Sequence, residues 1–237
     1  TTDGASTAAE LTVQNTDPVI TGPSLSSSLV KVGDVLTCTA TGTDADGDSL
    51  SSSVAWSDGS TGATYTVTNS DSPGNTIVCT ATVDDGDGGT DVGSASATVQ
   101  NSDPTVSVAL TPSTATAADT LTCTATVSDP DGDTTTASFG WTVDGVATTA
   151  SSTSALSSTL AGAFSYGQTV SCAVTGDDGR GGTATGTASV TITNSPPVVT
   201  GVTVSPTAAY TNDTLSVSAT ISDPEGDALT TRYDWYV

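Results

Sequence analysis

Apolar residues recur at every second position over short runs separated by turn-forming residues, the pattern of half-buried β-strands. Leu121, Cys123, Ala125 and Val127 fall on one face of Thr120–Val127, and Val170, Cys172 and Val174 on one face of Gln168–Thr175. Read through this stretch, the alternation predicts strands over Thr105–Leu110 (strand A), Thr120–Val127 (B), Ala137–Val143 (C), Gln168–Thr175 (F) and Thr185–Thr193 (G). One or two weak strands are expected in the Ser/Thr-rich stretch 147–161.

The strand B to strand C segment, DTLTCTATVSDPDGDTTTASFGW (119–141), occurs twice more without a gap, as DVLTCTATGTDADGDSLSSSVAW (34–56) and DTLSVSATISDPEGDALTTRYDW (213–235). Each time the acidic cluster begins ten residues after the opening Asp, and Trp follows the last Asp of the cluster by eight. Self-similarity at fixed spacing marks a repeat architecture. Residues 4–15 resemble 90–101 and 183–194, and each ends on Asn before a junction: Asn15-Thr16-Asp17-Pro18, Asn101-Ser102-Asp103-Pro104 and Asn194-Ser195-Pro196-Pro197. Proline cannot donate to a ladder and restricts the residue before it, so domain boundaries are placed there. The expected organisation is the last strand of a preceding repeat over 1–15, complete domains over 16–101 and 102–194, and strands A to C of a third over 195–237. Neither end fragment is large enough to bury a core alone. The expectation is a window on a longer tandem array, with strand exchange between molecules as the alternative.

Composition agrees with many short strands and turns. Ala, Val, Ser, Thr and Gly dominate, and no apolar run reaches transmembrane length. The chain carries 26 acidic residues, 3 basic ones and no His. Nucleic-acid affinity rests on Lys and Arg at phosphates, so nucleic acid is not expected as a partner, and insertion into an anionic membrane is not expected either. Metal cations are the natural partners of such a surface. The four cysteines, Cys38, Cys79, Cys123 and Cys172, fall as one pair in each complete repeat, which points to disulfides and an oxidising, extracellular compartment.

Cys on strand B, Trp on strand C and Cys on strand F make the core pin of an immunoglobulin-like sandwich, in which the disulfide joins two sheets and Trp packs on it. Val217 replaces the first Cys in the third repeat. Ile77 and Val170 stand where an antibody-type domain has the tyrosine of its tyrosine corner, so the wider immunoglobulin-like class is indicated. Trp56, Trp141 and Trp235 are all expected in cores. The fold class is therefore all-β, tandem immunoglobulin-like sandwiches with partial domains at both ends.

Two acidic motifs recur. Between strands B and C lie Asp44/Asp46/Asp48, Asp129/Asp131/Asp133 and Asp223/Glu225/Asp227; between F and G lie Asp84/Asp85/Asp87 and Asp177/Asp178. In such a sandwich both loops emerge at the pole where strand A begins, beside Asp17 and Asp103 at the junctions. Together these sets hold more than half of the 26 acidic residues. Crowded carboxylates repel unless a cation sits among them, and hard oxygen donors in a glycine-rich loop suit calcium. The Gly at the fourth motif position excludes an EF-hand. The alternative is that Asp-Gly pairs are ordinary turns and the acids serve solubility, or adaptation to high salt. Arg180 stands where the first repeat has Asp87, and either weakens the second site or supplies an internal counter-charge.

The DPDGD motif before strand C, the Trp followed by Asp-Gly (Trp56-Ser57-Asp58-Gly59; Trp141-Thr142-Val143-Asp144-Gly145) and the DDG before strand G resemble bacterial-type tandem PKD and cadherin-like extracellular domains. The Phe-Gly-Asp-Gly tail of the full PKD signature is missing. The resemblance implies calcium at the junctions and a stiff rod built of neighbouring repeats or of further copies in a filament, as in a surface fibre or adhesin stalk. Polysaccharide- or ligand-binding accessory modules of a secreted protein are the other reading. An enzyme is not expected: there is no His for a triad, and the carboxylates recur in every repeat, as an active site rarely does.

Overall fold

The structure, a computed structural model, describes residues 8–236. All of the regular structure among them is β-strand, so no helix is present that could cross a membrane. Contacts divide the chain into two units. The first reaches Ser102 and includes Pro130–Gly132; the second runs from Asp103 to Asp129 and from Asp133 onward.

In the first unit, β1 (Val19–Leu25), β3 (Val35–Thr43) and β5 (Thr64–Thr66) form one sheet in the order β1-β3-β5. The other sheet holds β2 (Leu29–Val30), β7 (Thr90–Val99), β6 (Thr76–Asp84) and β4 (Ser51–Trp56), in the order β2-β7-β6-β4. The first strand of the repeat thus begins in one sheet and crosses to the other, where Val30 pairs parallel with Val99. Gly22, at φ +45°, lies in the register shift between Thr21 and Pro23 and lets the strand bend there. The period-two pattern turns Leu36, Cys38, Ile77, Cys79 and Val99 inward, all buried together with Trp56. Cys38 is bonded to Cys79, tying β3 of one sheet to β6 of the other. The indole N–H of Trp56 donates to the Gly62 carbonyl at 2.9 Å, so its one polar atom is satisfied inside the core.

The second unit repeats the plan. One sheet has the order β12-β13-β9-β8, from β8 (Thr105–Thr111), β9 (Thr120–Ser128), β12 (Ser152–Thr153) and β13 (Ser157–Ala161). Its partner has the order β11-β10-β14-β15, from β10 (Thr136–Val143), β11 (Val146–Thr148), β14 (Thr169–Asp177) and β15 (Thr183–Thr191). Trp141 is opposite Cys172 across β10 and β14, and Cys172 is bonded to Cys123. Leu121, Leu160, Val170, Val174 and Ile192 complete the core. The Ser/Thr-rich stretch provides three short strands where one or two were expected, because Val146–Thr148 joins the Trp sheet as a hairpin partner of β10. Both repeats are immunoglobulin-like sandwiches, and the chain is all-β.

At both ends an expected strand is not formed among the described residues. Residues 8–15 form no strand, and Leu11 and Val13 are 89% and 82% exposed; the remainder of the expected strand lies outside the described residues. After β16 (Val198–Ser205) and β17 (Ser216–Ser222), which pair with one another, no strand C forms over 228–235. Trp235 is 53% exposed where Trp56 and Trp141 are 4% and 2%. The reason is the same in both cases. In the complete repeats strands C and G each pair with strand F, and none of the described residues pairs with 8–15 or 228–235 in this way.

Candidate metal-binding loops

The B–C loop of the first repeat is built around Asp44. Its Oδ1 accepts the N–H groups of Asp46, Gly47 and Asp48 at 2.8, 3.0 and 3.3 Å, an Asx arrangement that folds the loop back on itself. Gly47, at φ +87°, makes the reversal that a side chain would strain. The turn brings carboxylate oxygens of Asp44, Asp46 and Asp48 within 4.8 Å of one another. Asp129, Asp131 and Asp133 form the same kind of triad in the second repeat. In the third, Asp223 Oδ1 likewise accepts the N–H groups of Glu225 and Asp227, at 2.9 and 3.2 Å.

Crowding has an electrostatic signature in the first repeat. Desolvation, and then the carboxylates of Asp44, Asp87, Asp46 and Asp85, push the Asp48 carboxyl above its ordinary range. Asp44 Oδ2 is shielded from solvent and accepts no hydrogen bond from the protein. A buried carboxylate oxygen in that state is the donor a hard cation would satisfy.

The middle acid of each loop reaches the junction. Thr16 N–H donates to Asp46 Oδ2 at 2.7 Å. Ser102 donates its N–H to Asp131 Oδ2 at 2.6 Å and its hydroxyl to Oδ1 at 3.0 Å, with both residues buried. Ser195 holds Glu225 in the same two-pronged way, at 3.3 and 2.7 Å. These donors were not singled out in the sequence. The signal was there, in the residue after the recurrent Asn at all three junctions.

The F–G loops are organised from inside. Buried Asp85 accepts the N–H groups of Asp87 and Gly89 at 2.8 and 2.9 Å; buried Asp178 accepts those of Arg180 and Gly182 at 2.7 and 2.9 Å. Asp84 and Asp177 each accept one N–H of their own turn, at 2.7 Å. The Asn15 amide donates to Asp85 Oδ2 at 2.8 Å. Against the desolvation, that bond and the Asp87 and Gly89 N–H groups hold Asp85 below the usual carboxylate range. Asp17 also converges here: a Cβ on Gly89 would collide with the carboxylates of both Asp85 and Asp17. Gly89 is therefore the residue that lets two acids approach the loop backbone. Asp87 projects at the loop tip, while Asp103 is simply exposed at its junction. Of the acids named from sequence, the structure gathers two triads, gives Asp84, Asp85, Asp177, Asp178 and Asp223 loop-folding roles, and ties Glu225 to Ser195.

No family model matches the chain. No curated protein matches its sequence. Solved structures that align with it include fibronectin(III)-like modules of Clostridium thermocellum CbhA, at 16% identity over 73% of this chain and 94% of that one, with a TM-score of 0.31. The N-terminal eight Ig domains of the Down Syndrome Cell Adhesion Molecule align at 20% identity over 78% of this chain and 25% of that one, with a TM-score of 0.40. The Protocadherin GammaB4 extracellular domain aligns at 14% identity over 91% and 40%, with a TM-score of 0.33.

Proposed function

We propose that the chain is a structural, non-enzymatic repeat segment of an extracellular protein, and that calcium held by its B–C loops stiffens the junction ahead of each repeat. One observation carries the reading. Asp44 Oδ2 is buried without a hydrogen bond inside a triad whose oxygens lie within 4.8 Å. Asp44, Asp46 and Asp48 would hold the ion, with Asp87 close by. Bound calcium supplies positive charge that cancels carboxylate repulsion and needs several oxygens, which a loop of this kind can present.

The chain's own residues do the rest. Asp46 is shared, since one of its oxygens already receives the Thr16 N–H. Fixing Asp46 therefore fixes the backbone of the junction segment. Asn15, bound to Asp85, adds a second tie from the same segment to the F–G loop. Disulfides joining the two sheets of each sandwich suit an oxidising exterior and resist unfolding. Tandem repeats stiffened in this way suit a rod or filament, such as a surface fibre or stalk.

The test is a thermal melt in low salt, first with calcium and then with excess chelator. One site at 100 times its dissociation constant adds about 2.7 kcal/mol. For a sandwich of this size that raises the melting temperature by roughly 10 °C or more. The expected result is such a rise, reversed by chelator and not reproduced by magnesium. Unchanged melting would overturn the calcium reading and leave the acids as turn formers.

A further inference from the structure

The F–G loops of the two complete repeats have the same backbone. Gly86 and Gly179 sit at φ +81° and +73°, and Gly88 and Gly181 at +104° and +99°. The closing bonds match as well: Asp85 N–H to Gly89 O at 3.3 Å, Asp178 N–H to Gly182 O at 3.2 Å. Asp87 and Arg180 therefore occupy one structural position and differ in the sign of their charge. In the first repeat that position adds a carboxylate to the surroundings of Asp48. In the second, Arg180 Nε donates to Asp133 Oδ1 at 2.7 Å. Asp133 is the counterpart of Asp48, and its side chain is 16% exposed against 46% for Arg180. The guanidinium thus reaches in from solvent to the shielded edge of the triad. It keeps its charge at any physiological pH and cannot diffuse away.

We propose that Arg180 is a tethered cation that offsets part of the charge of the Asp129/Asp131/Asp133 loop, where Asp133 Oδ2 is still buried without a hydrogen bond, so that the second repeat depends less on dissolved metal than the first. The two repeats of one chain then answer calcium to different extents. The statement about the first repeat rests on the calcium reading above. The statement about the second stands on the Arg180–Asp133 pair.

Hydrogen–deuterium exchange read peptide by peptide on the intact chain separates the two. With calcium in excess over chelator, exchange should slow more in β6 and β7 than in β14 and β15. In chelator and low salt, Arg180→Gln should speed exchange in β14, β15 and the 177–182 loop by up to about five-fold, the range of a partly exposed ion pair. Arg180→Lys, which keeps the charge, should recover most of that protection. Calcium protection of β14 and β15 that matches or exceeds the protection seen in β6 and β7 would overturn the proposal. So would an Arg180→Gln profile equal to the unmodified one, or an Arg180→Lys profile equal to that of Arg180→Gln. If β6 and β7 ignore calcium while the Arg180 variants behave as expected, the calcium reading alone fails.

Discussion

Asp34, Asp119 and Asp213 open the three copies of the repeat, and each accepts the N–H of the residue three positions earlier, at 2.8, 2.7 and 2.7 Å. Asp119 also accepts the Thr116 hydroxyl at 3.0 Å. Those two bonds, backbone first, hold its carboxyl below the ordinary range. A depressed folded-state value means a contribution to stability that is fully present above the unfolded value, about 3.9, and lost as pH falls through the folded one. The urea midpoint of the second repeat should therefore drop as pH falls below about 4. Asp119→Asn should lower the midpoint at neutral pH and flatten that acid slope; an unaltered slope would mean the bond contributes nothing. At this scale the sequence was legible in position but not in role. The opening Asp is visible as a repeated letter, yet a carboxylate that caps a turn and one that binds a metal look alike until the backbone shows which N–H groups they receive. Asp85 and Asp178 make the same point: expected as ligands, they are also buried acceptors of their own turns' N–H groups.

At the scale of elements, period-two alternation served well because each strand of a sandwich has one buried face. Leu121, Cys123, Val170, Cys172 and Val174, set on inner faces by pattern alone, are all fully buried. The pattern could not reveal how closely the sheets approach near the acidic pole. A Cβ on Gly176 in β14 would come within 2.7 Å of Val127 and 2.8 Å of Val106, and one on Gly186 in β15 within 2.7 Å of Val108. Glycine there is a packing requirement between sheets, and neither residue has a positive φ. Gly176→Ala should therefore destabilise the second repeat by about 1–3 kcal/mol through overpacking between β-branched side chains. For a sandwich of this size that is a fall in melting temperature of roughly 4 to 24 °C. A melt equal to that of the unmodified chain would show that the sheets part to admit the methyl at no cost. The same limit explains residues 8–15 and 228–235. Alternation shows which face a strand would bury, but a strand exists only where a neighbour supplies its hydrogen bonds.

For the whole molecule, the question is whether dissolved salt could do what a bound cation does. The formal charge is −23. Self-repulsion of that size disfavours the compact state, and ions relieve it without binding anywhere. Distance separates the two mechanisms. The screening length is about 8 Å at physiological ionic strength and roughly 3 Å at 1 M. Carboxylates on opposite faces of a sandwich are already screened from one another in the first condition. The oxygens of Asp44, Asp46 and Asp48 lie within 4.8 Å and are not, so only near 1 M does the screening length fall below their spacing. Sodium chloride titrated in the presence of chelator should therefore stabilise both repeats, early and alike, through the general term. It should lift the first repeat a second time only as it approaches 1 M. Calcium at constant ionic strength should produce that second lift alone, at far lower concentration. Two calorimetric series, one in sodium chloride and one in calcium chloride at fixed ionic strength, read the difference. If calcium adds nothing that matched sodium chloride does not, the acidic loops serve solubility and salt tolerance, and the junction segments are left with the direct bonds from Thr16, Ser102 and Ser195.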